Sequence, residues 1–161
     1  MRGFGKISFD QFKKDIKDDQ SLYDNYELPV RSTKNSAGYD FKAIEGFVIK
    51  PGERVIIPTG IKVYMGNNEM LMLLVRSSMG FKYNIRMCNQ VGIIESDYYN
   101  NSNNEGHMWI ALQNEGTENY VVKKNDKYAQ GIFTIFLTVD NEDEINSERI
   151  GGLGSTNKGD D

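Results

Sequence analysis

From Tyr39 onward the chain is cut at close intervals by turn residues, and this punctuation limits its fold more than any other feature. Pro51-Gly52, Pro58-Thr59-Gly60, Gly66-Asn67-Asn68, Asn114-Glu115-Gly116 and Lys124-Asn125-Asp126 each combine residues that fix or tolerate turn dihedrals. The runs between them are short and rich in Val, Ile, Tyr and Phe, the side chains that pack on a pleated surface. Strands are expected at Phe47 to Lys50, Arg54 to Ile57, Ile61 to Tyr64, Met70 to Val75, Met108 to Gln113 and Ile132 to Thr138. Turns spaced at roughly 8–12 residues point to an all-β sandwich or barrel.

The first thirty residues follow another period. Ser8 with Gln11 three positions on resembles a capping box, and Phe9, Phe12 and Ile16 recur at helical spacing. A short helix from about Phe9 to Lys17 is expected, packed on the body of the domain. At 161 residues the chain makes one domain with a sizeable core, placed at 1–150. The tail at 151–161 has too few apolar groups to fold alone and reads as a flexible Gly-rich arm. Asn100 to Asn104 reads as a mobile loop.

Composition excludes several classes. A net charge of −4 offers no basic footprint for nucleic acid. No apolar run reaches the length of a membrane span, and the N-terminus has no charged-then-apolar signal pattern, so a soluble cytoplasmic protein is expected. Cys88 is the only cysteine, which rules out an internal disulfide and a multi-cysteine zinc site.

Five separated segments carry the chemistry. In Ser36-Ala37-Gly38-Tyr39-Asp40-Phe41, small residues let the backbone pass close to a neighbour before Asp40 projects from the start of a strand. Arg76-Ser77-Ser78 places a planar fork of donors beside two hydroxyls, a set suited to phosphate oxygens. Asn89 to Tyr98 sets Gly92, Ile93 and Ile94 against Glu95, where an apolar flank can tune a carboxylate into a general base. Tyr98, three residues on, offers a flat face for a sugar or base. Lys127-Tyr128-Ala129-Gln130-Gly131 carries one side-chain amide, and Arg149-Ile150-Gly151-Gly152-Leu153-Gly154-Ser155-Thr156 can wrap phosphates with backbone N–H groups and close as a lid.

In order and in spacing these segments resemble the trimeric dUTP pyrophosphatase (dUTPase) family, over about Leu28 to Thr156. The resemblance implies a jelly-roll-like β-barrel that hydrolyses dUTP to dUMP and pyrophosphate, limiting uracil in DNA and supplying dUMP for thymidylate synthesis. It implies a homotrimer with shared active sites, Mg2+ as cofactor, and no nucleic acid or membrane partner. Glu95 takes the place of the catalytic base, and Asp40 holds the metal–triphosphate complex through water. Arg76, Ser77, Ser78, Gln130 and Arg149 fall on phosphates, with Gly152, Leu153, Gly154 and Ser155 in the closing arm. Asn89 and the backbone of Gly92, Ile93 and Ile94 read uracil, while Tyr98 leaves no room for a 2′-hydroxyl.

The chain departs from the family pattern at five points. Glu95 stands where Asp is usual, and Tyr128 and Gly131 replace aliphatic residues. Leu153 replaces an aromatic that often stacks on uracil, and the spacing from Arg149 to Gly151-Gly152 is one residue shorter than in many members. The same fold serves dCTP deaminases, which resemble Gly106 to Leu112 but carry a catalytic Glu where this chain has Ala111. A phage-type dUTPase that also binds a regulatory protein is the alternative that the resemblance leaves open, with the N-terminal helix and the Asn-rich segment as its surfaces. His107, the only histidine, reads as a surface or satisfied core group rather than a ligand.

Overall fold

The computed structural model describes residues 1–145, 149, 151 and 152. Along the chain lie β1 (Gly3–Lys6), α1 (Phe9–Asp15), α2 (Gln20–Asn25), β2 (Val30–Arg31), β3 (Tyr39–Lys42), β4 (Phe47–Ile49), β5 (Arg54–Pro58), β6 (Ile61–Tyr64) and β7 (Glu69–Leu74). There follow α3 (Ser77–Tyr83), β8 (Ile85–Met87), β9 (Gly92–Glu95), a 3-10 turn at Ser96–Tyr98, β10 (Trp109–Asn114), β11 (Tyr120–Val122) and β12 (Lys127–Ile135).

Every strand pair is antiparallel. The largest sheet runs β2-β3-β12-β7-β9, a second runs β5-β10-β8, and β1-β6 and β4-β11 form separate pairs. The all-β expectation holds, but among the described residues the sheets do not close into a barrel. Closure needs both outer edges to find a partner. The outer strands of the largest sheet are β2, which is two residues long, and β9, which runs into the 3-10 turn.

Strand alternation decides which side chains form the core. In β10 the buried positions are Ile110, Leu112 and Asn114, while Trp109, Ala111 and Gln113 face the other way. Leu71 and Leu73 of β7, Phe41 of β3 and Ile61 and Val63 of β6 meet them in one cluster. Asn114 is buried there because its amide donates to the Ile49 and Glu118 carbonyls at 2.7 and 2.9 Å.

The N-terminal helix begins where expected, with the Ser8 hydroxyl accepting from the Gln11 N–H at 3.1 Å. The reciprocal half of the capping box is not made. Gln11 turns instead to Asp15 at 2.7 Å, and the Ser8 N–H donates to Glu105 at 2.9 Å. The helix ends at Asp15 rather than Lys17, because Ile16 leaves the helical region at φ −125° while its N–H still closes on the Phe12 carbonyl at 2.8 Å. Phe12 is wholly buried and stacks on Tyr26 with centroids 5.5 Å apart. Among the described residues no helix is long and apolar enough to cross a membrane.

Candidate active site

Two pockets divide the described candidate residues between them. The first is an apolar cavity of about 280 Å³, walled by Leu73, Met87, Ile94, Met108, Trp109 and Ala111. Its rim turns at Asn89-Gln90, where Gln90 takes a left-handed φ of 65° and the Val91 N–H closes on the Asn89 carbonyl at 2.7 Å. Strand β9 then presses onto β7. A β-carbon on Gly92 would stand 3.1 Å from the Leu73 β-carbon, so this position holds the wall close only as glycine. The exposed backbone of β9 and the amide of Asn89 together offer donors and acceptors at the mouth of an otherwise apolar space.

Glu95 ends β9 on this wall, half-buried. Its carboxylate pairs with Arg149, Nη2 to Oε2 at 3.1 Å, and the same guanidinium donates through Nε to Asp97 at 2.7 Å. Tyr98 is buried beside it, in the 3-10 turn that starts immediately after β9. Its hydroxyl donates to the His107 carbonyl and accepts from the Asn104 amide, both at 2.9 Å. Gly152 lies against the ring, where an added β-carbon would come within 2.7 Å of Tyr98 Cε2.

The second pocket is polar, about 310 Å³, and contains Asp40, Arg76, Ser77, Ser78 and Gln130. Sheet register assembles it. Asp40 on β3 stands directly opposite Gln130 on β12, which in turn stands opposite Leu74 on β7. Directly opposite residues share a face, so the acid and the amide point the same way. Where β7 ends, Arg76 caps α3 and brings Ser77 and Ser78 to the pocket. The helix stops where Asn84 takes a left-handed φ of 54° and its N–H closes on the Gly80 carbonyl at 3.2 Å.

Asp40 is a buried acid with three partners. Arg76 Nε lies 3.1 Å from Oδ1, Lys127 Nζ lies 2.9 Å from Oδ2, and the Ser32 hydroxyl donates to Oδ2. Burial pushes the carboxyl up, but the hydrogen bonds from Ser32 and Lys127 and the charges of Arg76 and Lys127 outweigh it, leaving the group below its ordinary range. Gln130 donates to the Val75 carbonyl at 3.0 Å. Lys127 and Ser32 were missed as site residues: Lys127 stands in a quoted segment without a role, and Ser32 has no signal in the sequence.

Asn89, Gly92, Ile93, Ile94, Glu95, Tyr98, Arg149 and Gly152 thus gather at the apolar cavity, and Asp40, Arg76, Ser77, Ser78 and Gln130 at the polar one. The two pockets have no residue in common. Arg149, expected on phosphates, sits on the Glu95 side. Leu153, Gly154 and Ser155 lie outside the described residues. Among the described residues no group of three acids, histidines or cysteines could cage a metal ion. His107 is a satisfied core group: the Gly60 N–H donates to Nε2 at 2.8 Å, and Nδ1 lies 2.6 Å from Asp15. Burial lowers its pKa from the ordinary value, against the opposing pull of Asp15.

Comparisons with known proteins agree on one family. The dUTPase family model matches residues 24–158. The deoxyuridine 5'-triphosphate nucleotidohydrolase of Lactococcus lactis is 45% identical over 130 residues, covering 80% of this chain and 87% of that protein. The crystal structure of dUTPase from Streptococcus mutans superposes with a TM-score of 0.69 at 39% identity, covering 86% of this chain and 99% of that one. A dUTPase from phage phi11 of S. aureus, described with a structural Mg(II) ion, superposes at 0.65 and 18% identity, covering 91% and 97%.

Proposed function

This chain belongs to the dUTPase family, whose jelly-roll fold it shares, and we propose that its two pockets are the two halves of a dUTP-hydrolysing site. The observation that carries this is the partition itself. A uracil ring and a deoxyribose need an apolar slot with a few polar groups at its mouth, and a triphosphate needs cations and hydroxyls. The chain supplies one pocket of each kind, with the candidate base at the edge of the first.

In this reading Asn89 and the β9 backbone take the polar edge of uracil, and Tyr98 fills the space a 2′-hydroxyl would need. Glu95 accepts a proton from a water that attacks the α-phosphorus. The new bond joins the water oxygen to that phosphorus, and the bond to the bridging oxygen of the β-phosphate breaks, giving dUMP and pyrophosphate. Arg76, Ser77, Ser78 and Gln130 hold the phosphates. Arg149, with Gly152 and the residues after it, forms a closing arm (151–161 as a separate segment from 1–150). Its guanidinium exchanges Glu95 and Asp97 for phosphate when substrate arrives.

Asp40 would hold magnesium bound to the triphosphate, and the ion would offset the phosphate charge. The donor set fits a water-mediated contact better than direct ligation, because Asp40 already holds two cations and a hydroxyl. Since the pockets share no residue, we read each active site as completed across subunits of a homotrimer. Exposed Ile56, Ile135, Leu137 and Val139 give such an assembly apolar surface to cover. The deaminase reading loses its base: Ala111 occupies the cavity wall where an acid would be required.

The test is direct. Incubated with magnesium and each deoxynucleotide in turn, the protein releases pyrophosphate from dUTP alone. Ammonia from dCTP would overturn the assignment.

A further inference from the structure

The N-terminal helix, the Asn-rich segment and the single histidine have no part in the reaction described above, yet Asn104 and the histidine's backbone carbonyl both bond the hydroxyl of Tyr98, and the helix is tied to that arrangement through the histidine ring. That oxygen donates to the His107 carbonyl and accepts from Asn104 Nδ2, each at 2.9 Å. Neither partner is free to drift. Asn104 Oδ1 accepts from Asn101 Nδ2 at 2.9 Å and from the Gly106 N–H at 3.1 Å, which fixes which way its amide points. Asn101 in turn donates to the Tyr98 carbonyl at 2.8 Å and accepts the Asn103 and Asn104 N–H groups at 3.0 and 3.1 Å. The segment expected to be a mobile loop is closed by its own side chains.

Its backbone is held under strain as well. Asn100 and Glu105 take left-handed φ values of 54° and 59°, where the β-carbon of a residue such as Glu crowds its own backbone. Glu105 stays there because its carboxylate accepts from the Ser8 N–H at 2.9 Å and pairs with Lys62 at 3.3 Å. The histidine is pinned through both ring nitrogens. Nε2 accepts from the Gly60 N–H, so Nδ1 carries the proton and donates to Asp15, the last residue of α1.

We infer that Asn104, His107 and Asp15 are positioning residues that fix how far Tyr98 projects into the cavity, so that sugar selection depends on the N-terminal helix as well as on the tyrosine. This rests on the reading that Tyr98 excludes the 2′-hydroxyl. Exclusion of one oxygen is a matter of fractions of an ångström, and a displacement of about 1 Å can cost on the order of 100-fold in a positioned site. A tyrosine set by two hydrogen bonds, each anchored in turn, holds that tolerance; a tyrosine set by packing alone would not.

The experiment compares kcat and KM for dUTP and UTP in the wild-type protein and in Asn104→Ala, Asp15→Ala, Asp15→Asn and Tyr98→Ala, with folding checked by circular dichroism. Asn104→Ala and Asp15→Ala should lower the dUTP-to-UTP preference on the order of tenfold. The change should come through gained use of UTP, with kcat for dUTP little altered. Asp15→Asn, whose amide oxygen still accepts from Nδ1–H, should restore the preference. Trp109, the only tryptophan, has its ring 5.1 Å from His107, so Asp15→Ala should also shift its emission. If Tyr98→Ala loses the preference while Asn104→Ala and Asp15→Ala keep it, the positioning role is wrong and the sugar-reading role stands. If Tyr98→Ala keeps the preference, both are wrong. Should Asp15→Ala not fold, Asn104→Ala decides alone.

Discussion

The amide of Gln130 occupies the space that a β-carbon on residue 38 would need. Built onto Gly38, that carbon would overlap Oε1 and stand 3.2 and 3.3 Å from Cδ and Cβ of the same side chain. Gln130 could yield by rotating away, which protects the fold but moves the amide out of the polar pocket. Gly38→Ala should therefore lower kcat/KM for dUTP by about tenfold with little change in melting temperature. A variant with unaltered kinetics would show that Gln130 does not hold substrate.

Glu95 is the acid at the cavity edge, and the general-base role gives a defined loss. Glu95→Gln should still bind dUMP, while kcat for dUTP falls by about 10²–10⁴-fold. Isothermal titration and steady-state kinetics separate the two. Arg149→Ala removes the ion pair at 3.1 Å and the phosphate contact proposed for Arg149 together, so it should raise KM for dUTP, whereas Glu95→Gln should act on kcat. A Glu95→Gln variant that raised KM and kept kcat would remove the general-base role.

The proposed completion of each site across subunits makes an assembly prediction. Glu95→Gln damages only the apolar half and Arg76→Ala only the polar half, on the partition described above. Two inactive preparations, co-refolded, should recover part of the wild-type activity, because some mixed assemblies pair an intact apolar half with an intact polar half. No recovery would mean that each chain completes its own site.

Acid should destabilise the protein in two windows. The folded-state pKa of His107 lies below its ordinary 6.5, through burial that outweighs Asp15. On acidification the unfolded chain takes that proton first, so the contribution to stability is full above 6.5 and is lost as pH falls from there through the folded value. Asp40 is likewise depressed below its ordinary 3.8, burial being outweighed by Ser32, Lys127 and Arg76. Its contribution is full above 3.8 and is lost at lower pH still. Calorimetric melting temperatures should decline in both windows, and His107→Gln should flatten only the upper one. An unchanged slope in that variant would remove the histidine from the linkage.

The sequence announced the strands that are long and regularly patterned and hid the rest for physical reasons. Ile61–Tyr64 matches its expected bounds because a single alternating run lies between Gly60 and Gly66. β12 starts at Lys127, five residues before the expected Ile132, because Gln130 and Gly131 interrupt the apolar pattern and a register shift follows Lys127. β8 and β11 are three residues each and fall outside the expected strands, while β4, equally short, was legible from the Pro51-Gly52 turn that follows it. In the site, residue types with recognisable chemistry were legible one by one. Their division into two pockets was not, because it depends on which strands pair. The support around Tyr98 was equally hidden: Asp15 and His107 are 92 positions apart.

Strand β7 has a consequence for how such a molecule can change. Leu74 faces Gln130 in the polar half, and its neighbour Leu73 faces Gly92 in the apolar half. A slip of one residue along this strand would turn both contacts to the wrong face together. The proposed base-reading and phosphate-holding walls are thus written on one ruler. Insertions and deletions that alter the enzyme can accumulate in the turns, while the spacing of those two leucines ties the halves to a common inheritance.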